Sequence, residues 1–232
     1  MTAPEADKGL TAWRPGSYRE GMSTIERVFA TRIYRGRISG EGARRLNQDL
    51  TRVIETLAVD DGAGRDWSDQ HDYAGYTSYA SLNDLPWRFP EFASLQGELD
   101  QHVKEFVGAL EFDLGGRGLA CDSLWVNVLE PGGHHAPHIH PHSVISGTYY
   151  VSVPKGAAAI RFEDPRHAMM MAAPPRKPKA HADNKPYLAI APKVGDVLLW
   201  ESWLRHDVPM NRADAERVSI SFNYAWGDGD GS

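Results

Sequence analysis

Residues 195–226 read GDVLLWESWLRHDVPMNRADAERVSISFNYAW. An apolar run, Val197 to Trp200, is followed by a polar stretch broken at Pro209 and then by a second run opening at Arg217, which is the pattern of short antiparallel strands joined by turns. In RVSISFNYAW, side chains of an extended chain alternate in direction. Val218, Ile220, Phe222, Tyr224 and Trp226 therefore share one face, and Arg217, Ser219, Ser221 and Asn223 share the other.

Upstream the same texture continues to Gly115-Gly116, with strands predicted in LACDSLWVNVLE, SVISGTYYVSVP, AAIRFED and YLAIAPK. Short strands with Gly and Pro punctuation imply an antiparallel sandwich or barrel. Before that point the periodicity is helical. Leu46, Leu50, Val53, Ile54 and Leu57 fall on one face of a first helix, and Leu95, Leu99, Val103, Phe106, Val107 and Leu110 on one face of a second, over about 92–110. The alternation in RVFATRIYRGRI predicts a strand from Arg27 to Ile38, and HDYAGYTSYASLND predicts another ending in a turn. The fold class read from this order is α+β, mainly β, with the helices packed outside a β-sandwich.

The chain of 232 residues carries 25 Lys+Arg against 31 Asp+Glu, a net charge of −6, with 41% hydrophobic residues. This suits a single domain with a proper core. It divides into an N-terminal arm (1–22), a helical and strand support (23–116), a β-rich core (117–227) and a flexible tail (228–232). Residues 164–186 form a connection longer than compact domains favour, read as a lid or a mobile segment. Its Met169–Met171 run reads first as core filler and second as an adaptable apolar rim. A single cysteine, Cys121, excludes an intrachain disulfide, four-cysteine zinc sites and iron–sulfur clusters. The first residues lack the basic start and apolar run of a signal peptide, and no stretch approaches about 18 apolar residues, so a cytoplasmic protein without a membrane span is expected.

Five of the ten histidines, His134, His135, His138, His140 and His142, lie in PGGHHAPHIHPHS. On an extended chain His138 and His140 point the same way and can share one metal ion. His206, at the end of an apolar strand and before a proline turn, is the best-placed third ligand. His134, His135 and His142 read as solvated loop residues. Arg217 follows His206 by eleven residues on the polar face of its strand, where a guanidinium fork suits a carboxylate and Ser219 adds a hydroxyl.

The combination of HxHPxSxxSGxYYV (138–151), FEDPR (162–166), VGDVLLWESWLRHDVPMN and ERVSISFNY resembles the non-haem iron(II)/2-oxoglutarate-dependent oxygenases. It is most similar to an uncharacterised bacterial branch related to the prolyl hydroxylases, over about Asp122 to Trp226. The resemblance implies a double-stranded β-helix, or jelly roll. It implies Fe(II) held by His138, His140 and His206, and 2-oxoglutarate clamped by Arg217 and Ser219. The family usually has a carboxylate where His140 stands. Of Tyr149 and Tyr150, on opposite faces of their strand, one is expected to place a hydroxyl near the cosubstrate. Tyr149 is assigned that role, and either residue is equally at home in the core. The implied reaction is a dioxygenase hydroxylation of an unidentified substrate, coupled to decarboxylation of 2-oxoglutarate to succinate.

Two rival classes share parts of the pattern. HxH and GD…H…N also resemble the motifs of metal-binding cupins, though the Arg217-x-Ser219 pair is foreign to them and their glutamate after HxH is missing. A catalytically silent jelly roll that binds metal or a small acid is the other. No basic stripe marks a nucleic-acid site, the cluster Arg176, Lys177 and Lys179 reads as a solvated loop face, and a homodimer is left open.

Overall fold

The computed structural model describes residue 23 and residues 25–227. Two units are distinguished, Met1–Thr31 and Arg32–Ser232. In the first, the described residues are exposed and form neither helix nor strand. The arm expected over 1–22 and the tail expected over 228–232 lie outside the described residues.

The second unit begins with β1 (Ile33–Arg37), α1 (Glu41–Asp60), α2 (Gly62–Gln70), β2 (Gly75–Thr77), α3 (Leu85–Arg88) and α4 (Pro90–Leu110). Eight strands follow: β3 (Leu119–Leu129), β4 (His135–His138), β5 (Ile145–Ser152), β6 (Ile160–Glu163), β7 (Tyr187–Ile190), β8 (Asp196–Glu201), β9 (His206–Val208) and β10 (Arg217–Trp226). A six-stranded sheet has the order β1-β8-β5-β10-β3-β2 and a four-stranded sheet the order β4-β9-β6-β7. All the strand pairs are antiparallel. This is the jelly-roll architecture, with helices on the outer face of the larger sheet.

Two apolar cores explain the layering. Leu50, Ile54 and Leu57 of α1 and Phe92, Leu95, Leu99, Val103 and Phe106 of α4 pack on Leu124, Val126, Val128, Tyr149, Val151, Val197, Leu199, Ile220, Phe222 and Tyr224, the helix-facing residues of the large sheet. Leu129, Tyr150, Leu198 and Trp200 point the other way, to Ile160, Phe162 and Val208 of the small sheet. Period-two alternation thus sorts one strand's residues between two cores. Gly147 in β5 is required by this packing, because a Cβ there would sit 2.4 Å from the Phe222 ring and 2.6 Å from Leu199. Gly75 has φ +124° and lies so close to β3 that a Cβ would meet the Val128 carbonyl oxygen at 2.0 Å.

The structure corrects several expectations. The strand predicted from Arg27 starts at Ile33, because its partner β8 offers a ladder only from Trp200 back to Asp196. The helix α2 is not announced by periodicity, since Trp67 is its one large apolar residue; Asp61 caps it by accepting from the Gly64 N–H at 3.0 Å. The connection 164–186 holds two short 3₁₀ turns. Met169 and Met171 are 73% and 93% exposed, so the methionine run is not core. Arg176, Lys177 and Lys179 are exposed, as a solvated face requires. No helix among the described residues is long and apolar enough to cross a membrane.

Candidate metal centre

The three histidines converge where the ends of β4 and β9 meet. His138 and His206 are register partners on these strands, and the His140 backbone N–H donates to the Ser202 carbonyl at 3.0 Å, tying the chain after β4 to the end of β8. Ring centroids are 4.3 Å apart for His138 and His206, 5.1 Å for His138 and His140, and 5.2 Å for His140 and His206. One ligand atom from each lies within 4.8 Å of the other two, and no carboxylate joins the group.

Each imidazole has its Nδ1 committed to an oxygen acceptor. His138 Nδ1–H donates to the Ala136 carbonyl at 2.7 Å, His206 to the Leu204 carbonyl at 2.9 Å and His140 to Asn223 Oδ1 at 2.5 Å. The tautomer this selects leaves the three Nε2 lone pairs for a cation. Asn223 is itself held. Its Oδ1 also accepts from Ser146 Oγ at 2.8 Å, its Nδ2 donates to Ser123 Oγ at 3.1 Å, and Ser146 bonds Ser202 at 2.7 Å. Burial, then the neighbouring histidines, pushes His206 down to about 3, and burial lowers His140 as well. Neutral imidazoles with fixed rings are what a divalent first-row metal needs.

A cavity of about 810 Å³ opens between the sheets and contains this cluster. Its wall includes the polar face of β10, Arg217, Ser219, Ser221 and Asn223, as the alternation predicts. Arg217 is 1% exposed. One guanidinium N–H donates to Ser219 Oγ at 3.3 Å, the group lies 5.0 Å over the Tyr150 ring, and Nε has no hydrogen-bond partner. No carboxylate among the described residues pairs with it. A buried cation without an anion is costly, and a small dicarboxylate reaching from the metal would supply the missing charge and acceptors. The donor set therefore fits both a divalent metal and a 2-oxo acid.

Not every expected site residue is here. Tyr149 faces the helices, its hydroxyl donating to Asn47 Oδ1 at 2.9 Å, and it does not line the cavity. Tyr150, on the opposite face of β5, is the tyrosine beside Arg217. His134 and His142 are exposed, as expected of loop residues. His135 is not. It is partly buried on the cavity wall, hydrogen-bonded through Nε2 to the Tyr73 hydroxyl at 2.8 Å, and pushed down to about 3 by burial and then by the charge of Arg217. Its position opposite Val208 on β4 carries it inward, a signal open only to a reader who had placed β4. Tyr73 and the Asn223 contact to His140 also escape sequence reading. No residue of 164–186 lines the cavity.

Comparison with known proteins agrees with this geometry. Residues 123–223 match the family model described as 2OG-Fe(II) oxygenase. Among solved structures, AviO1 from Streptomyces viridochromogenes Tue57 is similar at 15% identity over 88% of this chain and 96% of that one, with a TM-score of 0.57. A Pseudomonas putida prolyl-4-hydroxylase is similar at 13% identity over 85% and 94%, TM-score 0.55. HygX from Streptomyces hygroscopicus, solved with nickel and 2-oxoglutarate bound, is similar at 13% identity over 84% and 82%, TM-score 0.53. At these identities the likeness is one of fold. No curated protein matches the chain. The stretch that matches this family model, residues 123–223, is the one that carries the three converging histidines and Arg217.

Proposed function

We propose that this chain is an iron(II)- and 2-oxoglutarate-dependent oxygenase in which His138, His140 and His206 hold the metal and Arg217 with Ser219 holds the far carboxylate of the cosubstrate. The observation that carries this reading is Arg217: a guanidinium 1% exposed, without an anionic partner, in the same cavity as three imidazoles with free Nε2 atoms. Iron(II) with 2-oxoglutarate supplies the oxidising chemistry, using dioxygen and coupling decarboxylation of the cosubstrate to oxidation of a C–H bond.

The protein's own residues bind and orient. Asn223 and the Ala136 and Leu204 carbonyls fix the three rings, so the ligand set is arranged before metal arrives. Holding the metal through these three residues alone would leave room beside it for the 2-oxo acid and dioxygen. With histidine at 140 in place of a carboxylate, the three side chains carry no negative charge, so a metal held by them would keep its full charge for an anionic cosubstrate. Trp200 packs edge-on against His206 at 4.7 Å and Phe162 lies 6.1 Å from it, an apolar wall that keeps water from that side. All of these groups come from one chain, so the site needs no partner subunit. A reducing compartment such as the cytoplasm suits both iron(II) and the lone thiol of Cys121.

The test is direct. Purified protein should bind about one iron(II) per chain with 2-oxoglutarate, and form succinate in an oxygen-dependent way. His206→Ala should lose both metal and turnover. Succinate formation without added iron, or unchanged iron affinity in His206→Ala, would overturn the assignment.

A further inference from the structure

The two ends of the cavity differ in chemistry. Along its floor, β10 and β3 pair as Arg217 with Leu129, Ser219 with Asn127, Ser221 with Trp125 and Asn223 with Ser123. Arg217 and Asn223 are six residues apart on one strand, about 20 Å at the usual rise. Arg217 marks the anion-binding end, and the opposite end, beyond Trp125, is the mouth.

The wall of the mouth is a continuous run of aromatic rings. Trp125 lies 6.0 Å from His140, Tyr79 meets Trp125 edge-on at 5.3 Å, and Trp67 meets Tyr79 edge-on at 6.1 Å. His71 then stacks on the Trp67 ring at 4.1 Å. The rings come from separate places: Trp67 from α2, Tyr79 from the loop after β2, and Trp125 from β3. Trp125 is 7% exposed while Tyr79 is 52% exposed, so the surface runs from the metal cluster out to the rim. Both Trp67 and Tyr79 line the cavity.

Charge at this end is set by a single residue. Among the described residues Asp122 is the one carboxylate lining the cavity, and Arg217, at the far end, is its one lining Lys or Arg. Asp122 reaches the rim because β3 is bulged there: Asn223 pairs with Ser123 and Tyr224 with Cys121, leaving Asp122 without a partner in the ladder. Simple alternation from Ser123, Trp125 and Asn127 would have turned residue 122 to the helix side. The bulge re-aims it, which is a common use of bulges beside binding sites. Its carboxylate accepts from Ser123 Oγ at 3.2 Å and pairs with no Lys or Arg among the described residues. Asp122 is exposed at the rim, and desolvation there holds its carboxyl above the ordinary value, a cost that a cation beside it would offset.

Resting on the oxygenase reading above, we propose that the mouth formed by Trp67, Tyr79, Trp125 and Asp122 binds the oxidised substrate as a ring-bearing amine, its flat ring against the aromatic wall and its cationic group at Asp122. Ring faces carry partial negative charge and favour both stacked rings and cations. The carboxylate adds to that preference and opposes anionic ring compounds.

The test uses protein loaded with nickel(II) and saturating 2-oxoglutarate, which keeps turnover out of the measurement, and three probes titrated by calorimetry. Tryptamine has ring and charge, tryptophol has the ring with a neutral hydroxyl, and n-butylamine has the charge alone. Tryptamine should bind about tenfold or more tighter than either of the others, a preference of about 1.4 kcal/mol. Asp122→Asn should abolish the preference of tryptamine over tryptophol. Tyr79→Ala, chosen because Trp125 is too buried to truncate safely, should weaken both ring compounds several-fold. Equal binding of tryptamine and tryptophol, or a preference that survives Asp122→Asn, overturns the inference while nickel and 2-oxoglutarate still bind. Failure to bind nickel and 2-oxoglutarate overturns the oxygenase reading on which it rests.

Discussion

Replacing Arg217 with Met removes the guanidinium fork and keeps much of the side-chain volume. Two opposite effects follow from the geometry. With Nε unpartnered and one N–H resting on Ser219 at 3.3 Å, the fork has at least two donors to offer a carboxylate. Hydrogen bonds to charged groups contribute roughly 1.5–3 kcal/mol each. Losing two of them predicts about 3 kcal/mol or more, a rise in the 2-oxoglutarate dissociation constant of roughly a hundredfold. The metal-free, cosubstrate-free protein should respond in the other direction. There the guanidinium is buried without an anion, and exchanging it for an apolar side chain that packs against Tyr150 should stabilise the fold by about 1 kcal/mol or more. For a chain of this size that raises Tm by about 2–4 °C per kcal/mol. Cosubstrate affinity is read by anaerobic titration into iron-loaded protein, following the weak visible charge-transfer absorption, and stability by thermal melts of the apo forms. Iron binding should survive, since Arg217 is not a ligand. Unchanged 2-oxoglutarate affinity in Arg217→Met would refute the assignment of the anion site. A large fall in apo Tm would refute the claim that the guanidinium is unpaired in the free protein.

Three further outcomes are expected. Asn223→Ala removes the acceptor for His140 Nδ1–H and should weaken metal binding by about 10–100-fold, with Asn223→Asp retaining most of it; equal affinity in Asn223→Ala would show that His140 needs no orienting partner. Below pH 6.5 the unfolded chain takes up a proton on His135 that the folded chain refuses until about pH 3. Stability of the apo protein is therefore full above pH 6.5 and falls as the pH drops through that window, by about 2 kcal/mol from this residue at pH 5. Urea unfolding at pH 7 and pH 5 measures the loss, and His135→Gln should reduce it; an identical loss in the variant would mean that His135 is solvated. Trypsin should cut at the exposed Arg176–Lys179 cluster at the same rate with and without metal and cosubstrate, because no residue of 164–186 lines the cavity. Protection on ligand binding would restore the lid.

Local pattern alone determined a good part of this protein. The helical spacing from Leu46 to Leu57 and from Leu95 to Leu110 appears as α1 and α4, and RVSISFNYAW is β10 from its first residue to its last. The polar wall of β10 follows from period-two alternation, and His138, His140 and His206 do converge, though His140 lies just past the end of β4 and His206 opens β9 after a turn instead of closing the apolar strand β8. What alternation leaves open is which face of a strand looks at which layer. Tyr149 and Tyr150 are indistinguishable in sequence, and packing decides between them: α1 and α4 cover one face of β5, so Tyr149 meets Asn47 while Tyr150 meets Arg217. Contacts between residues distant in the chain were equally out of reach. Asn223 holds His140 across 83 positions, Tyr73 holds His135 across 62, and the bulge that turns Asp122 to the cavity exists only relative to β10. Side-chain direction is a property of each strand, but its meaning comes from the neighbour it is paired with, and pairing is settled by the burial of the whole sheet.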